Sequence, residues 1–445
     1  MWFYLLACGA GVGTGDSFDT SPVIVPDDTG VMMETSLSNQ YGWISTETGV
    51  ATGAAFADID GDGYQELIVA YGNDIQRGPI TVHDNQDGEL ERTASWASDN
   101  HSYHGKLDVG DVNRDGWVDL VVSRFLGDGG FSEPGGVDLY LNQGGYFEST
   151  PSWQYSGVYS FSLALGDVDL DGDLDLAVAV GESYYNAPDR SLLFENSGSS
   201  FGSQPIWQTE ADRHSFDVAW ADFNSDGMLD LAFANSGSAH TIYLNQGAGF
   251  GDSPDWEASG DPESFEGNSL AWGDLNGDNT IDLVVTENMQ QGGSGVVMGW
   301  CGPSFVKCWH SEDAPLFQSD VTFEDIDADG DGDLVVGSWW GAVRAYENVS
   351  GVVASLPYWQ TTNTLVVESI VWSDIDSSDQ AVEVIAGEGL LRVPGEVLEI
   401  SGGVVAGGWA TGSGEISVTY QVPFKRDMAV TNWENQVGNP IYFWQ

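Results

Sequence analysis

The chain has 445 residues, 41% of them apolar, and 69 acidic residues against 12 basic ones give a net charge of −57. Enough apolar residue is present for a globular core, but a surface this negative excludes nucleic acid as a partner and disfavours anionic membranes and polyanionic polysaccharides. No apolar run approaches the roughly 18 residues that a membrane-spanning helix needs.

At the N-terminus, residues 1–8 are apolar, and Leu5-Leu6-Ala7-Cys8-Gly9 resembles the lipobox of prokaryotic lipoproteins, in which the cysteine carries the lipid. Only seven residues precede Cys8 and none is basic, so two readings stand: a truncated signal with a lipid anchor at Cys8, or an incidental cysteine. Residues 9–32, rich in Gly, Asp, Thr and Ser, read as a flexible linker, and residues 33–445 as one repeat domain.

From there a single pattern recurs. Acidic loops begin at Asp58, Asp111, Asp167, Asp222, Asp274, Asp325 and Asp374, at spacings of 53, 56, 55, 52, 51 and 49 residues. Tryptophans keep the same beat at Trp43, Trp96, Trp153, Trp207, Trp256, Trp309, Trp359 and Trp409, and "YLNQG" recurs at 140–144 and 243–247. Within a unit, a short strand enters the loop and an apolar strand such as "LDLAVAV" leaves it; two more strands follow, the last ending near the tryptophan. Four short strands joined by Gly/Asn/Asp turns predict one blade of an all-β propeller.

The loop-plus-strand unit resembles the FG-GAP/VCBS repeat, the blade of integrin alpha-subunit propellers and of many secreted microbial proteins, over roughly residues 33–445. The resemblance implies a calcium-stabilised propeller at the cell surface or outside the cell, with recognition on the face opposite the calcium loops. It names no ligand, since propellers host adhesion, lectin and catalytic functions alike.

The loops themselves read D-x-[DN]-x-D-G-x-x-[DE]. Oxygens at positions 1, 3, 5 and 9 with a backbone carbonyl at 7 suit a hard cation of six to eight ligands, Ca2+ rather than the stricter Mg2+. The ligand sets are Asp58, Asp60, Asp62, Tyr64 and Glu66; Asp111, Asn113, Asp115, Trp117 and Asp119; Asp167, Asp169, Asp171, Asp173 and Asp175; Asp222, Asn224, Asp226, Met228 and Asp230; Asp274, Asn276, Asp278, Thr280 and Asp282; and Asp325, Asp327, Asp329, Asp331 and Asp333. Loop five has Asn279 at the turn, a residue that tolerates the left-handed conformation. A weaker seventh site is drawn from Asp374, Asp376, Asp379 and Glu383, where the loop is longer and lacks the glycine. An EF-hand is rejected because its twelfth position is Val69, inside an apolar strand.

The side chains at positions 1, 3, 5 and 9 of the six sets take 21 of the 69 acids, so the remaining charge also points to a saline, marine-type prokaryotic setting; lysine occurs only at Lys106, Lys307 and Lys425. Cys301 and Cys308 flank a Gly-Pro-Ser turn and are expected to form a disulfide across a hairpin, which fits export.

On the face away from the calcium loops, Phe125, Phe131, Tyr184, Tyr185, Trp339 and Trp340 are candidate sugar platforms, beside His101, Tyr103, His104, Tyr155, Tyr159, His214 and Phe265. No catalytic motif is found. Two functions stand: a monomeric, noncatalytic adhesion module binding a surface glycan or protein, or a carbohydrate-active enzyme such as a polysaccharide lyase. The lyase would need Arg77, Arg124, Arg190 and Arg213 to converge. Eight tryptophans predict eight blades, the last built of three strands from 415–445 and one from 34–45; the alternative is seven blades with 410–445 as an appendage.

Overall fold

The computed structural model describes residues 41–375, apart from positions 48, 73, 75, 185, 248, 261–264, 291, 314–315, 328, 363–364 and 374, together with strands at 24–26, 32–34, 390–400, 403–411, 427–432 and 442–444. The chain divides into Met1–Ser36 and Leu37–Gln445. In the first unit Ile24–Pro26 pairs antiparallel with Met32–Glu34; Cys8 and the lipobox-like segment lie outside the described residues. The second unit carries the repeats, and its described secondary structure is all β, without a helix.

The first six repeat units fold as the apolar pattern predicts. In the first, Ala51–Ala57, Glu66–Gly72, Arg77–His83 and Trp96–Ala97 form a four-stranded antiparallel sheet. The next four sheets begin at Tyr103–Gly110, Ser160–Gly166, His214–Ala221 and Gly267–Gly273 and repeat the order. The strand leaving each acidic loop is buried on both faces, as in Glu66–Gly72 and Asp230–Ser236. Such a strand must lie between neighbouring sheets, which is why it reads as a continuous apolar run rather than an alternation.

The expected count of eight blades is corrected. The blade-forming strands of the described residues make six sheets, neither eight nor seven: five four-stranded ones and one eight-stranded sheet. In the eight-stranded sheet, the set Phe317–Glu324, Asp333–Gly341, Arg344–Tyr346 and Trp359–Gln360 is joined to Leu365–Ser373, Asp427–Asn432, Tyr442–Trp444 and Tyr41–Ile44 through Trp339↔Val366 and Gly341↔Leu365. The terminal strands do close the ring, with Trp43↔Phe443 and Ile44↔Tyr442 in register. Their first partner, however, is Leu365–Ser373, which pairs with Asp427–Asn432; the predicted first strand, 415–422, lies outside the described residues. "LVVESIVWS" and "EISVTYQV" are both β-rich apolar segments able to occupy an inner position, and sequence alternation cannot rank them. Between the paired strands, Leu390–Ile400 and Gly403–Thr411, with Trp409, make a separate hairpin.

The tryptophan beat has a packing cause. Outer-strand indoles sit edge-on to aromatics of the following sheet: Trp96 on Phe147 (5.8 Å), Trp153 on Phe201 (5.2 Å), Trp207 on Tyr243 (5.0 Å) and Trp309 on Tyr346 (5.7 Å). Trp43 does the same at the closure, against His83 (5.4 Å), and its Nε1 donates to Leu90 O (2.8 Å).

A second regularity lies on the innermost strands. Each carries a register shift shortly before its acidic loop, for example at Ser160/Ser162, Ser215/Asp217, Gly267/Ser269 and Gln318/Asp320. A bulge of this kind re-aims side chains that strict alternation would bury. The residue five places before the first loop aspartate is Lys106, Ser162, Asp217, Ser269 or Asp320 in successive sheets. These meet: Lys106 Nζ lies 3.1 Å from Asp217 Oδ2, 3.0 Å from Asp320 Oδ1 and 3.1 Å from Ser269 Oγ. One lysine thus ties the second, fourth and sixth sheets together.

Cys301 and Cys308 are bonded, with Cα atoms 5.7 Å apart, across the outer hairpin Val297–Cys301 and Val306–His310 of the fifth sheet. Closing so short a loop contributes about 2.5 kcal/mol by chain-entropy reasoning. Peptide mapping without reduction is expected to show the cross-linked pair, and two alkylatable thiols would refute it.

Candidate metal centres

Six acidic loops share one hydrogen-bonded frame. At position 1, Asp58 accepts from the backbone N–H of Gly61 (2.7 Å), Asp62 (3.1 Å) and Gly63 (3.0 Å). Asp60 accepts from Asp62 N (3.1 Å) and Asp62 from Tyr64 N (2.9 Å). At position 9, Glu66 accepts from Ile59 N (2.7 Å). The bonds from the N–H groups of positions 5 and 6 to the first aspartate recur at Asp111, Asp167, Asp222, Asp274 and Asp325. Position 6 needs a left-handed residue: Gly63, Gly116, Gly172, Gly227 and Gly330 have φ between 86° and 97°, and Asn279 takes φ 61° in loop five, as its tolerance of that region predicts.

The backbone bonds aim the side chains inward without exhausting them. A carboxylate offers about four acceptor sites, and those at positions 3 and 5 use one or two. Carboxylate oxygens of Asp58, Asp60 and Asp62, of Asp167, Asp169 and Asp175, and of Asp325, Asp327 and Asp329 come within 4.8 Å of one another. Loops two, four and five have Asn113, Asn224 or Asn276 at position 3, so an amide oxygen replaces one carboxylate there. The donor set is all oxygen, as a hard cation requires. Burial pushes the position-9 carboxyls up, against the pull of backbone N–H donors: Glu66 and Asp333 to about 7, and Asp119, Asp175, Asp230 and Asp282 to about 6.

Some predicted ligands have other partners as well. Among the position-7 residues, proposed for their carbonyls, the Asp173 side chain pairs with Arg114 and Asp331 accepts from Ser350 N. Of the seventh loop only Ile375 is described, buried against the first sheet; Asp374, Asp376, Asp379 and Glu383 lie outside the described residues.

Sequence reasoning used the "YLNQG" asparagine only as a repeat marker and missed its role. Asn142 donates through Nδ2 to Ile59 O of loop one (2.9 Å) and Val118 O of its own loop (3.1 Å), while its backbone N–H donates to Asp119 Oδ1 (2.8 Å). Asn196 reaches Val112 O (2.7 Å) and Asn245 reaches Val168 O (2.7 Å) in the same way. Asn85 reaches Ile375 O (2.8 Å) across the ring closure. Neighbouring acidic loops are therefore stapled by a buried amide at these four junctions and, through Asn348 and Asp274 O (3.4 Å), between loops five and six. In the fifth unit, by contrast, Gly302 N donates to Asp282 Oδ1 (2.7 Å) with no amide beside it. The recurrence of Asn after an aromatic strand was the available signal.

The sequence profile of the FG-GAP-like repeat matches residues 58–122 and 222–285, spans that contain loops one, two, four and five. The chain is a β-propeller that contains FG-GAP-like repeats. Among solved structures, it is similar to BBS1N, crystallised in complex with ARL6DN, at 10% identity, over 91% of this chain and 96% of that one, with a TM-score of 0.53. It is also similar to Sqt1 of Saccharomyces cerevisiae, at 11% identity over 92% and 99%, with a TM-score of 0.50. Identities this low show the propeller fold alone. No curated protein sequence matches the chain. Among the described residues, no helix is long and apolar enough to cross a membrane.

The FG-GAP staple is directly testable. Replacing Asn196 with Ala leaves two carbonyls and three loop N–H groups without their partner, at an expected cost of about 1–3 kcal/mol. Urea unfolding reads this, and an unchanged midpoint would remove the staple from the account.

Proposed function

We propose that this FG-GAP-like propeller is a calcium-stabilised, noncatalytic adhesion module, displayed at the cell surface or secreted, that binds a glycan or protein on the face away from its acidic loops. The observation that carries the reading is the shared frame of the six loops, in which backbone N–H groups pre-aim three or four oxygens at one point. Calcium would be held by the side chains at positions 1, 3, 5 and 9 and the carbonyls of Tyr64, Trp117, Asp173, Met228, Thr280 and Asp331. It would supply the positive charge that these crowded carboxylates lack.

Two observations favour binding over lyase chemistry. The four arginines do not converge: Arg77 pairs with Asp128 (3.0 Å), Arg124 with Asp138 (2.8 Å), Arg190 with Asp212 (3.3 Å) and Arg213 with Glu257 (2.6 Å). His104, a candidate acid or base, is fully buried and held by Tyr71 O, while His101 is exposed. Of the predicted aromatic platforms, Phe125 and Phe265 are core residues, whereas Tyr184 and Trp340 remain exposed.

Glycan-array binding by the calcium-loaded protein, with analysis of the bound glycans for cleavage, tests the reading. Retention of intact ligand supports it; an unsaturated product sugar would replace it with the lyase.

A further inference from the structure

The bulges that gather Lys106, Asp217 and Asp320 have a second consequence. The residue passed over at the register shift, six places ahead of the loop aspartate, is Thr52, Phe161, Phe216, Asn268 or Glu368 in five of the units. All five line one cavity of about 250 Å³, at the ends of the inner strands remote from the acidic loops. Phe125, Tyr184, Trp339 and Trp340 complete an aromatic wall, and Asp74 and Gln290 complete the polar part. Rings meet edge to face around it, Phe125 with Phe161 (5.6 Å) and Trp339 with Trp340 (6.2 Å), and Phe161 lies tilted against Phe216 (6.2 Å).

The charge of this cavity is one-sided. Asp74 and Glu368 line it, and among the described lining residues none is basic. Lys106, on the adjacent layer, is engaged by two carboxylates of its own. Desolvation, and then the negative charge of Asp74, Glu368, Glu182 and Glu266, holds the Tyr184 hydroxyl above its ordinary value. Aromatic faces carry negative potential at their centres, so six rings and two carboxylates act in the same sense. A neutral sugar would use the rings but not the acidic sense of the lining.

We propose that the axial cavity is a binding site for an alkylammonium cation, a quaternary or methylated amine enclosed by Phe161, Phe216, Trp339 and Trp340 and neutralised by Asp74 and Glu368. The proposal rests on the reading of this face as the recognition surface and names the ligand chemistry that it takes. The cavity lies at the small end of ligand pockets, about 300–1,000 Å³, which suits one cationic head group or side chain rather than an oligosaccharide.

The test is calorimetric titration of the full chain, at saturating calcium, with choline, tetramethylammonium and 3,3-dimethylbutan-1-ol, the uncharged carbon isostere of choline. Both cations are expected to bind saturably and the isostere roughly tenfold more weakly, the range of a desolvated cation–π contact. Trp340→Ala, at a ring 49% exposed and outside the core, and Asp74→Asn should each weaken choline by roughly tenfold. Equal binding of the isostere overturns the proposal. So does choline binding that survives Trp340→Ala unchanged, which would mark general attraction to the acidic surface. If no cation binds but an intact glycan does, the recognition face stands and its cationic ligand falls; if neither binds, both fall.

Discussion

Chelation of calcium is expected to lower the melting temperature by on the order of 10 °C or more, the largest single effect on this molecule. A cation present at a hundredfold excess over its Kd stabilises the folded state by about 2.7 kcal/mol per site, and six loops share the frame described above. Without the cation, each loop holds three or four acids within a few residues, and burial disfavours ionisation of the position-9 carboxyl in the six loops. The Asn staples connect neighbouring loops, so loss of one site loosens the next, and the transition should broaden as well as shift. Differential scanning calorimetry before and after chelation, with metal content verified by elemental analysis, measures the effect. An unchanged melt in protein shown to be metal-free would remove calcium from the structural account. Sodium chloride alone should restore only part of the loss, because screening weakens repulsion between exposed acids but supplies no ligand-matched charge at the buried ones.

Much of this architecture was legible because each repeat states its plan in local chemistry. The loop glycine, the doubly buried strand after it and the outer-strand tryptophan each have one physical role, and the structure places all three where the spacing predicts. The strand across Tyr41–Ile44 was also legible, since Trp43 kept the tryptophan phase far from the C-terminal strands it joins. The number of sheets was not. Pairing of Leu365–Ser373 with both Asp333–Gly341 and Asp427–Asn432 depends on long-range edges, and nothing local distinguishes that strand from the similar segment at 415–422. Likewise, Lys106 looked like one of three scattered lysines, because its partners are 111 and 214 residues away in sequence. Bulges are invisible to a period-two reading, yet they build both the Lys106 layer and the cavity above it. Of the candidate sites, the loops were readable from spacing, whereas the axial cavity required the curvature of the ring.

The molecule therefore handles its excess of acid in two ways. At the loops, carboxylates cluster near solvent, where a diffusible cation can reach them. On the axis, Asp217 and Asp320 are buried, and the chain supplies its own cation. Desolvation alone would pull the Lys106 ammonium down, but Asp217 and Asp320 more than offset it and hold it above the ordinary lysine value. Ser162 Oγ and Leu270 N also donate to Asp217, which is thereby held from the second, third and fifth sheets, and Ile370 N of its own sheet donates to Asp320.

Lys106→Met is accordingly expected to destabilise the calcium-loaded protein by about 3–5 kcal/mol, because it leaves two buried carboxylates without their counter-charge. The methionine matches the aliphatic stem, so lost packing contributes little and the effect reports the charge. Removing all three charges in Lys106→Met/Asp217→Asn/Asp320→Asn should recover most of the loss, since a neutral buried group avoids the desolvation that the single variant exposes. Asp320→Asn alone keeps one ion pair and should fall between the two; it remains informative if Lys106→Met does not fold. Urea unfolding at saturating calcium separates this effect from that of the loops. A Lys106→Met midpoint equal to that of the parent would show that the axial ion group does not hold the second, fourth and sixth sheets together. A triple variant as weak as the single one would place the cost in packing rather than charge.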